Sequence, residues 1–280
     1  MQTEYTRDEM LTCSIAREIP PVGIAAQGIA TPLVSAGYHL AKLTHAPELT
    51  ISYTVGNTFS KELLPISLRN YETMTIGNAL MKWSFMEAAT QYLHHLKPWI
   101  EFFRPAQIDA YGNTNNVVIG NYKNPKIRLP GCAGIADVTN YLENIMFYIP
   151  RHNKKTLVEK VDFVSGFGWQ RDGLSRKDMG LPEHGPKKII TELCVFEFVE
   201  GRAQLLSLHP YSSLDEVKEN TGFSFELSNN FHITEPPSSE KLHLIRTKID
   251  PLGIRKIEML SGAARLSYLA EIIHKELRLL

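Results

Sequence analysis

The sequence predicts an α/β layered fold. Three observations carry that expectation: short, continuous apolar runs alternate with amphipathic helical stretches, the runs end at loops holding Gly or Pro, and no internal repeat or low-complexity tract breaks the alternation. Strands apolar on both sides need cover on both faces of their sheet, which helices supply. A length of 280 residues with 43% hydrophobic residues is enough for a sizeable core.

Thr6 and Glu9 have the spacing of a capping box, and Met10, Leu11, Ile15 and Ile19 recur at helical intervals until Pro20-Pro21. A first helix over about Arg7 to Glu18 follows. Val22 to Ala26 is a short apolar strand running into Gly28, and Pro32 to Leu43 is the next helix, opened by its proline. The cycle repeats with a strand over Leu49 to Val55, stopped at Gly56-Asn57, and a long amphipathic helix over Asn78 to Leu96. Ile100 to Ile108, Val117 to Ile119, Ile145 to Ile149, Lys160 to Val164, Lys188 to Phe198 and Ala203 to Leu208 are further strand candidates. A hairpin turns at Glu200-Gly201. The Gly-, Lys-, Arg- and Asp-rich stretch Gln170 to Pro186 is expected as an exposed loop or a contact with another chain. The whole, residues 1–280, reads as a single domain closed by an amphipathic helix over about 261–280 that packs on this chain or grips a partner.

Thirty basic residues balance thirty acidic ones, so no overall field draws the chain to nucleic acid or an anionic membrane. The polar N-terminus has no signal-peptide core, and no run reaches the ~18 apolar residues of a spanning helix. A cytoplasmic location is expected. Cys13, Cys132 and Cys194 stand apart, against a disulfide framework or a C-x-x-C zinc site. No metal is expected, since His94-His95 would point to different sides of a helix.

In an open α/β sheet, ligands gather at loops leaving the carboxyl ends of strands. Gln27 to Pro32 places Gly28 and Thr31 ahead of a helix, which suits an anion or a plain turn. Ala106 to Asn115 is dense in amides, including Gln107 and Asn113; amides orient a carboxylate or thioester carbonyl without titrating, or close a turn around Tyr111-Gly112-Asn113. Gly131-Cys132-Ala133-Gly134 could offer backbone N–H groups to an oxyanion or be a close-packed turn. Arg151, His152, Lys154 and Lys155 form a basic cluster, either solvated or facing phosphates. No G-x-S-x-G, Walker A or H-E-x-x-H pattern is present.

Taken in order, Gln107-x-Asp109-x-x-Gly112-Asn113-x-Asn115, Ile119-Gly120-Asn121-Tyr122, Pro125-Lys126-x-Arg128, Gly131 to Gly134, Pro150-Arg151-His152, Val161 to Ser165 with Gly168-Trp169, His209-Pro210-Tyr211 and Asn220 to Phe223 resemble the β subunits of family I CoA-transferases of the glutaconate type. The resemblance implies a three-layer α/β/α open sheet of the NagB/RpiA/CoA-transferase-like superfamily. It also implies an α-subunit partner in an α2β2 heterotetramer, a CoA thioester as substrate, no permanently bound cofactor, and an active site at the subunit interface. In those transferases a glutamate in a strand-end Glu-Ser-Gly attacks the acyl-CoA. Here the matching segment is Ile51-Ser52-Tyr53-Thr54-Val55-Gly56, with Thr54 at the glutamate position. A threonine hydroxyl cannot carry CoA through an anhydride as a carboxylate does.

Glutamate-less relatives resemble methylglutaconyl-CoA decarboxylase or the ring-opening hydrolase of steroid degradation, and Gly28 to Leu33 with Thr44 to Leu49 looks closer to the decarboxylase branch. The resemblance therefore implies decarboxylation, C–C cleavage or hydrolysis of an acyl-CoA. Thr54, Gln107 and Gly134 are then expected in catalysis, and Gly28, Thr31, Asn113, Gly131, Cys132 and Ala133 in binding substrate. A true CoA-transferase and a noncatalytic β-like subunit are the alternatives.

Overall fold

The structure is a computed structural model that describes residues 4–29, 31–54, 56–69, 71–87 and 99–278. These fall into two compact units: the chain up to Ile100 together with Pro236 onward, and Glu101–Glu235.

In the first unit, helix α1 (Arg7–Arg17) starts where Thr6 N–H donates to Glu9 Oε2 at 2.9 Å. Strand β1 (Ile24–Gln27) leads to helix α2 (Pro32–Leu43), then to β2 (Thr50–Tyr53), β3 (Thr58–Ser60) and β4 (Met81–Lys82), in spatial order β1-β2-β3-β4. β1 and β2 are parallel, with Gln27 opposite Tyr53, while β2–β3 and β3–β4 are antiparallel. The helices touch closely: a Cβ at Gly37 would lie 2.5 Å from Ile15 Cγ2. Beside them, buried Arg255 joins Asp8 at 2.8 Å and Asp250 at 2.9 Å. Removing one member of such a cluster strands a charge and costs about 3–5 kcal/mol. The last helix, Gly262–Arg278, is largely exposed but buries Ile272 and Glu276, whose carboxylate accepts the Leu68 and Arg69 N–H groups at 2.9 and 3.0 Å.

Strand β5 (Trp99–Phe103) carries the chain into the second unit. It is followed by β6 (Gln107–Ile108), β7 (Thr114–Asn115), β8 (Val118–Gly120), β9 (Pro125–Arg128), β10 (Asn144–Ile149), β11 (Gln170–Arg171), β12 (Leu174–Ser175), β13 (Lys188–Thr191), β14 (Cys194–Val199), β15 (Arg202–Leu208) and β16 (Leu227–Ile233). The sheet here runs β16-β15-β14-β13-β10-β5, with β10–β13 and β15–β16 parallel and β13–β14–β15 antiparallel. β6–β7, β8–β9 and β11–β12 are separate two-stranded pairs. Phe147, Phe196, Ile189 and Leu205 form the unit's apolar centre.

Several sequence expectations change. The Ile100–Ile108 strand ends at Phe103, because Pro105 has no N–H to give a ladder. Lys188–Phe198 is two strands, since Thr191 Oγ1 accepts the Leu193 and Cys194 N–H groups at 3.0 Å each and turns the chain. Lys160–Val164 is not a strand; Asp162 N–H goes to Gln107 Oε1 at 3.1 Å instead. Within Asn78–Leu96, Met81–Lys82 is strand rather than helix, and residues 88–96, with His94-His95, lie outside the described residues. No described helix is long and apolar enough to cross a membrane.

Candidate functional site

The expected site residues fall into two groups, one in each unit. In the first unit, Gly28 follows β1 and Thr54 follows β2, at the carboxyl ends of two parallel neighbours, where the chain leaves the ladder and backbone groups become available. The two ends are tied together: Thr54 N–H donates to Gln27 O at 3.1 Å. Thr54 is exposed, while Thr31 is buried and donates its hydroxyl to Gly28 O at 3.2 Å. Glu48 is exposed and pairs with Lys61 at 3.4 Å.

The helix start after Gly28 is already answered by the protein. Glu258 Oε1 accepts the Leu33 N–H at 2.9 Å, so a buried carboxylate stands on the positive end of α2. Nothing in the local sequence signals that capping, because Glu258 is 225 residues away. Just inside the same edge lie Gln27 and Tyr53, register partners whose side chains share one face of the sheet. Gln27 Oε1 and the Tyr53 hydroxyl are buried with no hydrogen-bond partner among the described residues. Burial holds the Tyr53 phenol far above its ordinary range, so it stays protonated and able to donate. Two such atoms create a demand for a water or a ligand's polar group.

In the second unit, Gln107 sits on β6 opposite Asn115 on β7. Its Oε1 accepts from Asn115 Nδ2 at 2.7 Å and from Asp162 N, and its Nε2 donates to Asp162 Oδ2 at 3.1 Å, leaving one amide hydrogen without an acceptor among the described residues. Asn113, expected to bind substrate, is held from several sides within the fold. Its Nδ2 donates to Asp109 and to Gln170 O at 2.9 Å, its Oδ1 accepts the Gly168 N–H at 2.9 Å, and the residue is fully buried. Every amide hydrogen of Asn113 is thus used inside the fold. Burial raises the Asp109 carboxyl above the usual range, against the pull of Asn113 and of the Tyr111 and Asn113 N–H groups.

The loop Gly131–Gly134 leaves β9 and enters the helix Ile135–Tyr141. Gly131 N–H is spent on Asn116 O at 2.9 Å, whereas the N–H groups of Cys132, Ala133 and Gly134 have no acceptor among the described residues. Gly131 has φ 114° and Ala133 φ 43°, so the chain is held in conformations an L-residue seldom takes. Strain of this kind is kept where surrounding structure imposes it, commonly at functional loops. Cys132 is half-buried, while Cys13 and Cys194 are buried with thiols pushed up to about 11 and about 12, away from reactivity.

The stretch Gln170 to Pro186 is only partly the expected exposed loop. Arg176 is 2% exposed and donates to the carbonyls of Phe167, Gly168, Thr139, Asn140 and Pro182. It fastens the far end of the Ile135–Tyr141 helix to the segment that holds Asn113. The basic cluster also changes: Arg151 is exposed, but His152 is buried between the Thr191 and Thr221 hydroxyls, at 2.9 Å from each, and burial lowers its pKa to about 3. A cleft of about 870 Å³ opens in this unit between Tyr111, Lys160, Arg171, Arg202 and Phe223. No grouping of three or more His, Cys, Asp or Glu suited to a metal occurs among the described residues.

Residues 9–220 match the family described as Coenzyme A transferase. The chain belongs to that family. Among relatives of this CoA-transferase family chain, the B-type subunit of the 3-oxoadipate CoA-transferase of Pseudomonas knackmussii is 31% identical over 245 residues, 86% of this chain and 92% of that one. The glutaconate CoA-transferase of Acidaminococcus fermentans superposes with a TM-score of 0.81 at 28% identity, covering 93% of this chain and 99% of that one. The decarboxylase AibA/AibB superposes with a TM-score of 0.77 at 27% identity, covering 90% and 98%. The α/β fold expected from sequence is the CoA-transferase fold. Transferases and a decarboxylase are thus among the proteins this chain resembles on one scaffold.

Proposed function

We propose that this chain is the B-type subunit of a heteromeric, cytoplasmic enzyme that binds an acyl-CoA thioester and decarboxylates, cleaves or hydrolyses it without forming a covalent enzyme–CoA intermediate on this chain. The observation that carries the reading is Thr54, exposed at the carboxyl end of β2 beside the end of β1, where the transferases' glutamate is expected. A threonine hydroxyl can orient substrate or water there; it cannot form the acyl anhydride that precedes a glutamyl-CoA thioester.

The reaction then needs no nucleophile from this chain. Loss of carbon dioxide or attack of water leaves negative charge on the acyl group, and fixed N–H donors stabilise such charge without reorganising. The open amides of Cys132, Ala133 and Gly134 fit that part, with Gln107 supplying its uncommitted amide hydrogen to the acyl group. Gly28, Thr31 and Gly131 shape the two loops, and Asn113 acts by holding its loop in place. An A-type partner, in an α2β2 assembly, completes the site; AibA/AibB is itself a two-component decarboxylase. The substrate is a passing CoA thioester rather than a resident cofactor.

Transfer of CoA between acids is the second reading, favoured by the 31% identity to a 3-oxoadipate CoA-transferase chain. It requires a carboxylate from the partner. Mass spectrometry of products decides: the chain co-purified with its A-type partner is given dicarboxylyl- and oxoacyl-CoAs with acetate present. Loss of carbon dioxide or gain of water without acetyl-CoA is expected, and acetyl-CoA would establish transfer.

A further inference from the structure

The cleft of about 870 Å³ in the second unit has the size of a small-molecule site, and no residue on its walls touches the acyl group in the reaction proposed above. Its rim is a closed circuit. Gly222 N–H donates to Leu157 O at 2.8 Å, and two residues beyond that contact on each chain stand Glu159 and Ser224. Arg202 reaches from Ser224 Oγ at 2.9 Å to the Tyr111 hydroxyl at 3.2 Å, its guanidinium 5.5 Å from the centre of that ring. Tyr111 N–H goes to Asp109 Oδ1 at 3.0 Å, and Asn113, tied to Asp109, donates to Gln170 O at 2.9 Å. Asp172, two residues after Gln170, accepts from Lys160 at 2.6 Å, and Lys160 brings the circuit back to Glu159. A space walled in this way is preformed, so a ligand spends little on ordering it.

Lys160, Arg171 and Arg202 line the cleft together with Asp109, Glu159 and Asp172. Asp172 is shared by Lys160 and by Arg171 Nε, at 2.6 and 3.3 Å. Asp109 is spent on the Tyr111 and Asn113 N–H groups, and the charge of Arg171 offsets part of the rise that burial imposes on its carboxyl. One cation, Arg202, and one carboxylate, Glu159, are left with no ion pair among the described residues. Both hang on the Leu157–Gly222 contact, Glu159 directly and Arg202 through Ser224, each two residues away, an extended reach of about 7 Å. They do not pair with each other. A ligand of one sign would satisfy one of them and be repelled by the other, whereas a zwitterion satisfies both. Arg171 adds a third demand: Nη1 is buried, and neither terminal nitrogen has an acceptor among the described residues. Its charge is already answered by Asp172 and Asp109, so what it lacks is a neutral acceptor such as an amide carbonyl.

We infer that this cleft binds a free α-amino acid with an amide side chain, its α-carboxylate on Arg202, its α-ammonium on Glu159 and its side-chain carbonyl on Arg171. The site is additional to the acyl-CoA chemistry and does not rest on it. Two of the three contacts lie at a solvent-exposed rim, so each contributes modestly and weakens with salt.

The test uses the full chain assembled with its A-type partner and three probes of one skeleton, followed by titration calorimetry. They are L-glutamine, 4-carbamoylbutanoate, which lacks the ammonium, and 4-aminobutanamide, which lacks the carboxylate. L-Glutamine should bind about fivefold or more tightly than either analogue, the scale of one charge-assisted contact at a part-exposed site. Glu159→Gln, at an exposed position with no hydrogen bond among the described residues, should bring L-glutamine down to the level of 4-carbamoylbutanoate. Arg202→Gln should bring it down to the level of 4-aminobutanamide. Each variant thus erases one preference and keeps the other, whereas a merely loosened rim would weaken all three probes alike and would overturn the assignment. So would a wild-type assembly that does not bind L-glutamine, equal binding of the three probes, or a Glu159→Gln protein that keeps the full preference. None of these results bears on the acyl-CoA reading, which the product analysis tests separately.

Discussion

Gly168 donates its N–H to Asn113 Oδ1 at 2.9 Å, and a Cβ on Gly168 would come within 2.1 Å of Tyr111 O. The glycine is there so that one backbone can press against another, and the amide between them is a pin. Gly168→Ala is therefore expected to prevent folding of the second unit. Asn113→Ala leaves Asp109 buried without its amide donor and should cost about 2–3 kcal/mol. Urea denaturation measures both; an Asn113→Ala protein of wild-type stability with lost activity would return Asn113 to the substrate.

Ala133, at φ 43°, offers a separable test of the open-amide loop. Ala133→Gly relieves left-handed strain but frees the unfolded chain, so stability should shift by no more than about 1 kcal/mol. A β-branched residue is a true outlier at that angle. Ala133→Val is expected to lower kcat at least tenfold with the fold retained by circular dichroism, and unaltered turnover would remove the loop from catalysis.

Two buried histidines make stability depend on acid. Burial lowers the pKa of His39 to about 4 and of His152 to about 3, against an ordinary 6.5. The unfolded chain binds more protons between these values, so the stabilisation of the neutral rings is complete above about pH 6.5 and is lost as pH falls toward 4 and 3. Each pH unit in that window removes up to about 1.4 kcal/mol per ring. Urea midpoints between pH 4.5 and 7.5 should fall with acid, and His39→Gln and His152→Gln should each flatten the slope. A slope unchanged in either variant would contradict its neutral burial.

Sequence periodicity reached what is local. α1 starts at the Thr6–Glu9 box, α2 spans the expected Pro32–Leu43, and the hairpin turns at Glu200-Gly201, where φ is 49° and 79°. It failed where a side chain redirected the backbone, as Thr191 does in splitting β13 from β14 and Gln107 does in capturing Asp162 N–H. Sequence pattern marked loops at Gly28 and at Gly131–Gly134, which leave β1 and β9, and the family resemblance singled out Thr54 after β2. It did not reveal Glu258 on α2, Arg176 under the Ile135–Tyr141 helix, or the unpartnered Gln27 and Tyr53 atoms. Those relationships join residues far apart in the chain and leave no periodic mark.

The proposal that this chain supplies no covalent nucleophile is open to direct measurement. The chain, assembled with its A-type partner, is incubated with the acyl-CoA panel, quenched in acid and weighed intact. The account gives the unmodified mass of the 280-residue chain, and a Thr54→Glu variant that gains the mass of CoA less one water, as a thioester requires. A CoA adduct on the wild-type chain would contradict it.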